Sequence, residues 1–350
     1  MNTIITNSEE SDKTEDKKGI IKNMIVVMIS VVLVFATIQG LLVLQSTLNS
    51  SKGVISLSIF TCSAVFSCLF ISSYVPRKIG CKRSLILSIV GTTLWTMANL
   101  YATWYTLIFG SLILGLAWGI LWTSYSTFFT MCAINYAKLT SQEPSRVIAR
   151  VFGFCFMVLL SGPIWGNLLS SSILSLSSSI PSSNFNATST ESNDTLPGFC
   201  GSDDCPTSNT TEGGTPHRPD QWVIGVLIGA YASVTVLSLL CLLLFLDLAK
   251  TKYSDKKIDY NCNIFLSTMS RLKDKNQVLL VAITVYTGME QAYMTAEYTK
   301  SFVACSLGLS KIGFVIMIFN SSAAIMSILS GIMVSRFNRL SVFTLGIVNI

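Results

Sequence analysis

The sequence predicts an all-α protein that crosses a membrane several times. Nine long apolar stretches, separated by polar segments, run from about residue 24 to residue 350. Because the hydrocarbon core of a bilayer is about 30 Å thick, roughly 20 apolar residues are needed to cross it as a helix. Charged residues form only 12% of the chain, about half the usual share in a soluble protein. These observations exclude a soluble fold.

The limits of the apolar stretches define the predicted helices. They span residues 24–46, 54–75, 84–101, 105–134, 147–172, 221–247, 277–298, 312–334 and 341 onward. The first stretch is too long for the core of a signal peptide, so we expect it to remain as the first helix. The polar segments divide the chain into a cytosolic tail at 1–23, a six-helix half at 24–249, a basic cytosolic linker at 250–276 and the start of a second half at 277–350.

The distribution of basic residues predicts the orientation. With a cytosolic N-terminus, all but four of the 24 lysines and arginines lie on the cytosolic side, the exceptions being Lys52, Arg218, Lys300 and Lys311. This asymmetry follows the positive-inside rule. The net charge of +6 therefore reflects topology and contact with anionic inner-leaflet lipid, not nucleic-acid binding. We expect an integral protein of the plasma membrane, with an endomembrane as the alternative.

Residues 173–220 are predicted to form a glycosylated outer loop. The segment is rich in Ser, Thr, Asn and Gly and contains the sequon acceptors Asn186, Asn193 and Asn209. A fourth acceptor, Asn49, follows the first helix. Because the charge pattern already places both segments outside, all four can meet the glycosylation machinery. The predicted external loops are 47–53, 173–220 and 299–311.

Cysteine positions predict one disulfide outside the cell. Of the ten cysteines, Cys200 and Cys205 share the oxidising outer loop and are close enough in sequence for a local bridge. A bridge that uses Cys305, near the seventh helix, is the alternative. Cysteines within the apolar stretches are expected to pack as small hydrophobic residues.

The sequence lacks the signatures of common enzyme sites. Its one histidine, His217, lies in the outer loop, which excludes histidine-based metal sites and catalytic triads. Nucleotide-binding glycine motifs and the G-x-S-x-G nucleophile motif are absent from the sequence. We therefore predict a non-enzyme without a cofactor or resident metal.

A weak internal repeat favours a fold of the major facilitator type. The basic turn after the second predicted helix recurs after the eighth, so that Arg77 corresponds to Arg336 at a spacing that matches that of the first and seventh helices. Two six-helix halves related by a parallel repeat would give this spacing, although a basic cytosolic turn can also recur by chance. The repeat predicts that nine of eleven or twelve helices are present. The first turn resembles the superfamily's loop motif through Arg77, Lys78, Gly80, Lys82 and Arg83.

Polar residues inside the seventh predicted helix are the candidate ion or solute pathway. Glu290 lies close to the middle of that helix, where a carboxylate is costly and should face the bundle interior or water. On a regular helix Glu297 would share its face, with Lys300 within reach. We assign Glu290, Gln291, Glu297 and Lys300 to a pathway or gate. The alternative is structural: a protonated Glu290 that joins helices and an interfacial ion pair between Glu297 and Lys300.

Other polar and small residues are predicted to join helices. Gln39, Gln45 and Asn167 are expected to hydrogen-bond between helices rather than bind a ligand. Ser111, Gly115 and Gly119 recur at every fourth residue of the fourth helix, a spacing that permits close contact within the chain or with a partner. Pro163 in the fifth helix predicts a kink.

Several of these segments resemble the Unc-93 (uncoordinated) family. The similar segments are residues 44–48, 79–82, 101–108, 164–168, 200–205, 288–292 and 297–301. The resemblance extends over about residues 24–350 and implies a major-facilitator-like fold of up to twelve helices. It also implies accessory roles, namely regulation of potassium channels or, in another branch, escort of innate immune receptors between membranes. The segments that contain Tyr101 and Ala292 are more similar to the channel-regulator branch.

The resemblance therefore supplies the leading functional hypothesis, a regulatory subunit of a potassium channel complex. The first alternative is a major facilitator transporter of a small solute or cation that uses Glu290. The second is a trafficking escort for membrane receptors. The expected partners are the lipid bilayer and a channel or another membrane protein.

Overall fold

The computed structural model describes residues 2–178, 221–246, 274–307, 311–336 and 344. The helices are α1 Asn2–Phe66, α2 Val75–Ile79, α3 Cys81–Ala98, α4 Trp104–Thr140, α5 Pro144–Ser178, α6 Gln221–Phe245, α7 Lys275–Ala292 and α8 Ile312–Arg336. Two segments have π-helical hydrogen bonding, π1 Ser67–Ile71 and π2 Tyr293–Ala304, and one helical turn covers Cys305–Leu307. The described part of the chain contains no β-strand.

Helix α1 consists of two antiparallel arms. Gln45 Nε2 donates to Ser56 Oγ at 3.4 Å, whereas this stretch of straight helix would separate the two residues by about 16 Å. Phe35 and Phe60, one on each arm, both contact Trp118, at ring-centroid distances of 5.2 and 6.0 Å. The chain therefore reverses between Gln45 and Lys52, where the first two predicted helices were expected to be joined. The connection has helical hydrogen bonding, and its location outside the membrane stays a prediction.

The first arm of α1 is the centre of the bundle. Its buried side chains recur at alternating spacings of four and three residues, as in Val27, Val31, Val34, Ile38 and Leu41, which is the pattern of a helix that contacts neighbours along its whole length. Helix α4 supplies aromatic contacts, α5 supplies glycines, and α6 supplies serine hydroxyl groups. Among these, Ser30 Oγ donates to the Ser238 carbonyl oxygen at 3.1 Å, and Ser238 Oγ donates to the Ser30 carbonyl oxygen at 2.8 Å.

The prediction of an all-α membrane bundle is confirmed. Five segments of the described chain are long and apolar enough to cross a bilayer: Asp16–Gln45, Lys52–Ile71, Trp104–Thr140, Pro144–Leu176 and Gln221–Phe245. A shorter apolar helix covers Ile312–Ser327. The predicted third and seventh helices are present as α3 and α7. The ninth, from residue 341 onward, lies outside the described residues except for residue 344.

Candidate functional site

A small polar cavity lies where α1, α5, α7, π2 and α8 meet. Its volume is about 20 Å³, and its walls are formed by Gln39, Val43, Pro163, Gln291, Met294, Ile316, Phe319 and Asn320. Three of these residues carry amides, each from a different helix. Gln291 is the one residue of the predicted pathway that reaches the cavity, and Glu290 beside it is exposed among the described residues.

Amide side chains supply the polar groups of this cavity, in a wall that is otherwise made of apolar residues. The Nδ2 atom of Asn320 donates to the carbonyl oxygen of Ile316 at 2.8 Å, and its Oδ1 atom can accept further hydrogen bonds. Pro163, also in the wall, has no N–H group, and α5 therefore lacks the backbone hydrogen bond that an ordinary residue would make at this position.

One helical turn after Pro163, α5 carries a buried polar side chain, Asn167. Asn167 Nδ2 donates to the carbonyl oxygen of Pro163 at 2.8 Å, while its Oδ1 atom is buried without a hydrogen-bond partner in the described part of the chain. We expected Asn167 to hydrogen-bond to another helix. The hydrogen bond of its amide nitrogen instead lies within α5. Gln45 does join two segments, because it bonds to Ser56 on the other arm of α1.

Glycines bring the helices around the cavity into close contact. A Cβ atom at Gly166 would overlap the carbonyl oxygen of Ala36, and one at Gly40 would overlap the hydroxyl group of Tyr231. That hydroxyl group donates to the carbonyl oxygen of Gly166 at 2.6 Å. One tyrosine of α6 therefore holds α5 where α5 touches α1. The sequence pattern did not distinguish this tyrosine from its apolar neighbours, so its role in holding α5 against α1 was not predicted.

The structure does not bring the predicted pathway residues onto one buried face. Every described side chain of α7, including Glu290, is exposed, because α7 contacts mainly the π2 segment that follows it. Glu297 lies in π2 and is also exposed. Since π-helical i→i+5 bonding unwinds the turn, a seven-residue spacing no longer returns to the same face. Both carboxylates are exposed in the described chain, and their assignment to a pathway or gate stays a prediction. Nothing is described of the Lys300 side chain.

The basic turn is built around Gly80 and Lys82. Gly80, between α2 and α3, has φ of 85°, a conformation that glycine adopts without the steric cost of a side chain. Lys82 Nζ donates to the carbonyl oxygen of Leu246 at 2.6 Å and so satisfies the C-terminal end of α6. Arg77, Lys78 and Arg83 are exposed. The hydrogen bond from Lys78 to Tyr74 raises the pKa of that lysine.

The small-residue stripe of α4 lies against the second arm of α1. Ser111 Oγ and Ser56 Oγ are 2.5 Å apart. Cβ atoms at Gly115 and Gly119 would crowd the backbone of that arm, at the Phe60 carbonyl oxygen and the Cys68 nitrogen. The stripe thus serves contact within this chain.

The predicted outer loop lies outside the described residues. Its sequons at Asn186, Asn193 and Asn209 and its cysteines Cys200 and Cys205 therefore stay predictions. Asn49 belongs to the helical segment of α1 in which the chain reverses. Among the described residues, no three His, Cys, Asp or Glu side chains come together to hold a metal ion.

None of the known protein-family profiles matches the chain. Comparison with individual proteins is more informative. The chain is 35% identical to "Protein unc-93 homolog A" of Xenopus laevis over 338 residues, which cover 94% of this chain and 71% of that protein. It is 31% identical to the Homo sapiens protein of the same name, with the same coverage. It is 30% identical over 99% of its length to 49% of the Caenorhabditis elegans "Putative potassium channel regulatory protein unc-93". The chain belongs to the Unc-93 family.

Proposed function

We propose that this protein is a regulatory subunit of a potassium channel complex in the plasma membrane. The observation that carries the proposal is the similarity to the Caenorhabditis elegans protein, which extends over 99% of this chain. The name of that relative describes a regulator of potassium channels. Similarity that spans every described helix supports a shared fold and hence shared partner-facing surfaces.

The size of the cavity favours a regulator over a transporter. Pockets for small organic ligands usually enclose about 300–1,000 Å³, whereas the cavity between α1, α5 and α8 encloses about 20 Å³. In the described conformation, this space is too small for a metabolite. A regulatory subunit needs no such pocket, because it acts through the surfaces of its helices.

Helix α7 is the surface that we assign to the partner. Its exposed apolar side chains include Val278, Val281, Val285 and Met289, and Glu290 lies beside them. Lipid can cover apolar side chains, but a carboxylate at this depth is better accommodated by a polar group of another protein. This proposal keeps Glu290 as a functional residue and moves its role from an internal pathway to an intermolecular contact.

Affinity purification from native membranes tests the proposed function. The tagged protein should co-purify with a potassium channel subunit, and co-expression should change the potassium current. Recovery of no channel subunit, together with solute-dependent uptake into vesicles that contain the purified protein, would replace the regulator with the transporter. Recovery of an immune receptor without an effect on current would favour the trafficking escort.

We further propose a cytosolic N-terminus and a glycosylated, disulfide-containing outer loop. The contacts of the bundle support this orientation, because Lys82 of the basic turn meets the end of α6 from which the basic linker 250–276 follows. Glycosidase treatment should shift the protein to a lower apparent mass. Combined replacement of Asn186, Asn193 and Asn209 by Gln should remove most of that shift. A protein insensitive to both treatments would contradict this orientation.

The transporter remains the second candidate because of one contact. Helix α5 of the first half packs closely against α8 of the second, where a Cβ at Gly313 would meet Ser171 and the Asn167 carbonyl oxygen. Two halves that touch around a central polar site are the arrangement in which major facilitator transporters alternate access. Uptake assays of the purified protein therefore belong beside the current measurements.

A further inference from the structure

The cavity between the two halves combines three amides at similar depth. Gln39 lies about 9 Å before Gln45, the end of the first membrane span, at 1.5 Å per residue. Asn320 lies about 12 Å from Ile312, where α8 begins. Both distances place the amides within the half-thickness of the hydrocarbon core, about 15 Å. Gln291 reaches the same cavity from the end of α7.

Amides in hydrocarbon require hydrogen-bond partners. An amide that leaves water without a partner loses several kcal/mol, roughly 2–7 depending on the reference state. Asn320 uses its Nδ2 atom within its own helix, and its Oδ1 atom has lone pairs that can accept a hydrogen bond from a further donor. The apolar walls, such as Val43, Ile316 and Phe319, cannot supply one.

The volume of the cavity matches one water molecule. A cavity needs about 10–15 Å³ of accessible volume to hold a water, which then needs two to four polar partners. This cavity has about 20 Å³ and three amide side chains in its wall. Sites that replace the hydration shell of a monovalent cation with neutral groups use rings of carbonyl oxygens, whereas this cavity presents three amide side chains.

We propose that Gln39, Gln291 and Asn320 bind one water molecule, which joins the first half of the protein to the second by hydrogen bonds. The ligand class is water, and the site is independent of the proposed channel partner. It makes the position of α8 and π2 relative to α1 depend on a bound water, in addition to the close contact between α5 and α8 at Gly313. A mixed polar and apolar interface of this kind can be loosened by the loss of a single amide.

Radiolytic labelling of the full chain in lipid nanodiscs tests the site. X-ray pulses convert bound water into hydroxyl radicals that oxidise the nearest side chain, and Met294 lies in the cavity wall. Its oxidation rate, measured by mass spectrometry, should exceed that of two other methionines severalfold, because Met294 is the one of the three that lines this cavity. Met28 is buried and contacts Cys155, whereas Met289 is exposed on α7.

Two variants and a matched control complete the experiment. Asn320→Leu and Gln39→Leu should each lower the Met294 rate to that of Met28. Gln45→Leu removes another buried glutamine of α1, one that bonds to Ser56 and does not line the cavity, and should leave the rate unchanged.

The unmodified protein alone can overturn the proposal. A Met294 rate equal to that of Met28 or Met289 would mean that no water is bound there, whether or not the variants fold. A Met294 rate unaffected by either leucine substitution would exclude the amides as ligands. A rate that changes when potassium and sodium are replaced by a large organic cation at constant ionic strength would assign the site to a metal cation instead.

Discussion

The first arm of α1 and helix α7 are both apolar, yet only one of them is packed. The first arm is buried on nearly every side within the bundle, whereas each described side chain of α7 is exposed. The difference lies in small residues. Gly162 and Gly166 on α5 let the backbones of α5 and α1 meet, and Gly40 on α1 leaves room for the Tyr231 side chain. In contrast, nothing lies within 4 Å of the Cβ position of Gly288 on α7.

This comparison separates two properties that apolar composition cannot distinguish. Apolarity places a helix in the bilayer, but lipid tails are as apolar as a neighbouring helix, so apolarity gives little reason for helices to associate. Close packing and interhelical hydrogen bonds supply the association. The first arm of α1 has both, through glycine contacts and the paired Ser30 and Ser238. The described part of α7 faces outward and is available to lipid or to a partner.

The largest expected difference in stability between the two regions comes from adding one methyl group to a glycine in each. Gly166→Ala places Cβ against the carbonyl oxygen of Ala36, which forces α1 and α5 apart and should cost about 3 kcal/mol or more. Gly288→Ala on α7 meets open space and should change stability by less than about 1 kcal/mol. Thermal unfolding followed by fluorescence-detected size-exclusion chromatography gives the shift in melting temperature of each variant. Equal shifts for the two variants would show that α1 and α5 are not in close contact.

The sequence was sufficient to predict the helices because apolar length is a direct physical requirement of the bilayer. It also placed Ser111, Gly115 and Gly119 on one face of α4, since small residues at every fourth position share a face on a regular helix. Apolar periodicity does not reveal the π-helical segment π2, in which the hydrogen-bond register changes. The assignment of Glu290 and Glu297 to a pathway stays a prediction.

The chain reversal after the first predicted helix was expected at 47–53, but the helical hydrogen bonding of that connection was not. Two further features were beyond the sequence. The cavity needs three helices that are distant in sequence, and Gln39 and Asn320 are single polar residues whose joint position depends on the fold. The functional role of Lys82, which bonds to the end of α6, was hidden within a turn that the charge pattern already explained.

A smaller effect is expected from serine contacts between the second arm of α1 and α4. Ser63 Oγ and Ser67 Oγ donate to the carbonyl oxygens of Leu112 and Leu116, each at 2.8 Å. Because one such bond in a membrane contributes about 0.6 kcal/mol on average, Ser63→Ala with Ser67→Ala should cost about 1 kcal/mol. Unfolding in a mixed-micelle denaturant titration measures this loss of free energy.

The matched control for the serine pair lies on the exposed side of the same arm. Ser58 and Thr61 donate to carbonyl oxygens of their own helix, so Ser58→Ala with Thr61→Val should leave the free energy of unfolding nearly unchanged. If this control lowers stability as much as the serine pair does, the interhelical bonds make no separate contribution.

The next effect concerns the C-terminal end of α6. Lys82→Gln removes a cation from the terminal carbonyl group of Leu246, and such a group at a helix C-terminus contributes about 0.3–1 kcal/mol. We expect a loss in that range. The exposed neighbour Arg83 provides the comparison, because Arg83→Gln removes the same charge from the same turn without breaking this bond. A larger loss from Arg83→Gln would indicate that turn charge, and not the bond to Leu246, stabilises the end of α6.

The smallest expected effect on stability is that of replacing Glu290. This residue of the exposed helix α7 is the one from which we expect the largest effect on function. Glu290 is exposed on α7, so Glu290→Gln should alter the thermal midpoint and surface delivery very little. If the carboxylate contacts a partner as proposed, its loss should abolish the effect on potassium current while the protein remains folded. Glu297→Gln, in π2 and nearer the end of the predicted seventh helix, should reduce that effect less.

Glu290→Leu distinguishes a charged contact from an internal structural one. Leucine on a surface that faces lipid or a partner leaves folding intact, because no buried group of this chain is left without its hydrogen bond. The leucine variant should therefore reach the surface as efficiently as the glutamine variant and should be equally inactive. If the leucine variant is retained inside the cell while the glutamine variant is fully active, Glu290 joins helices within the protein, and the partner contact must lie elsewhere on the exposed face of α7.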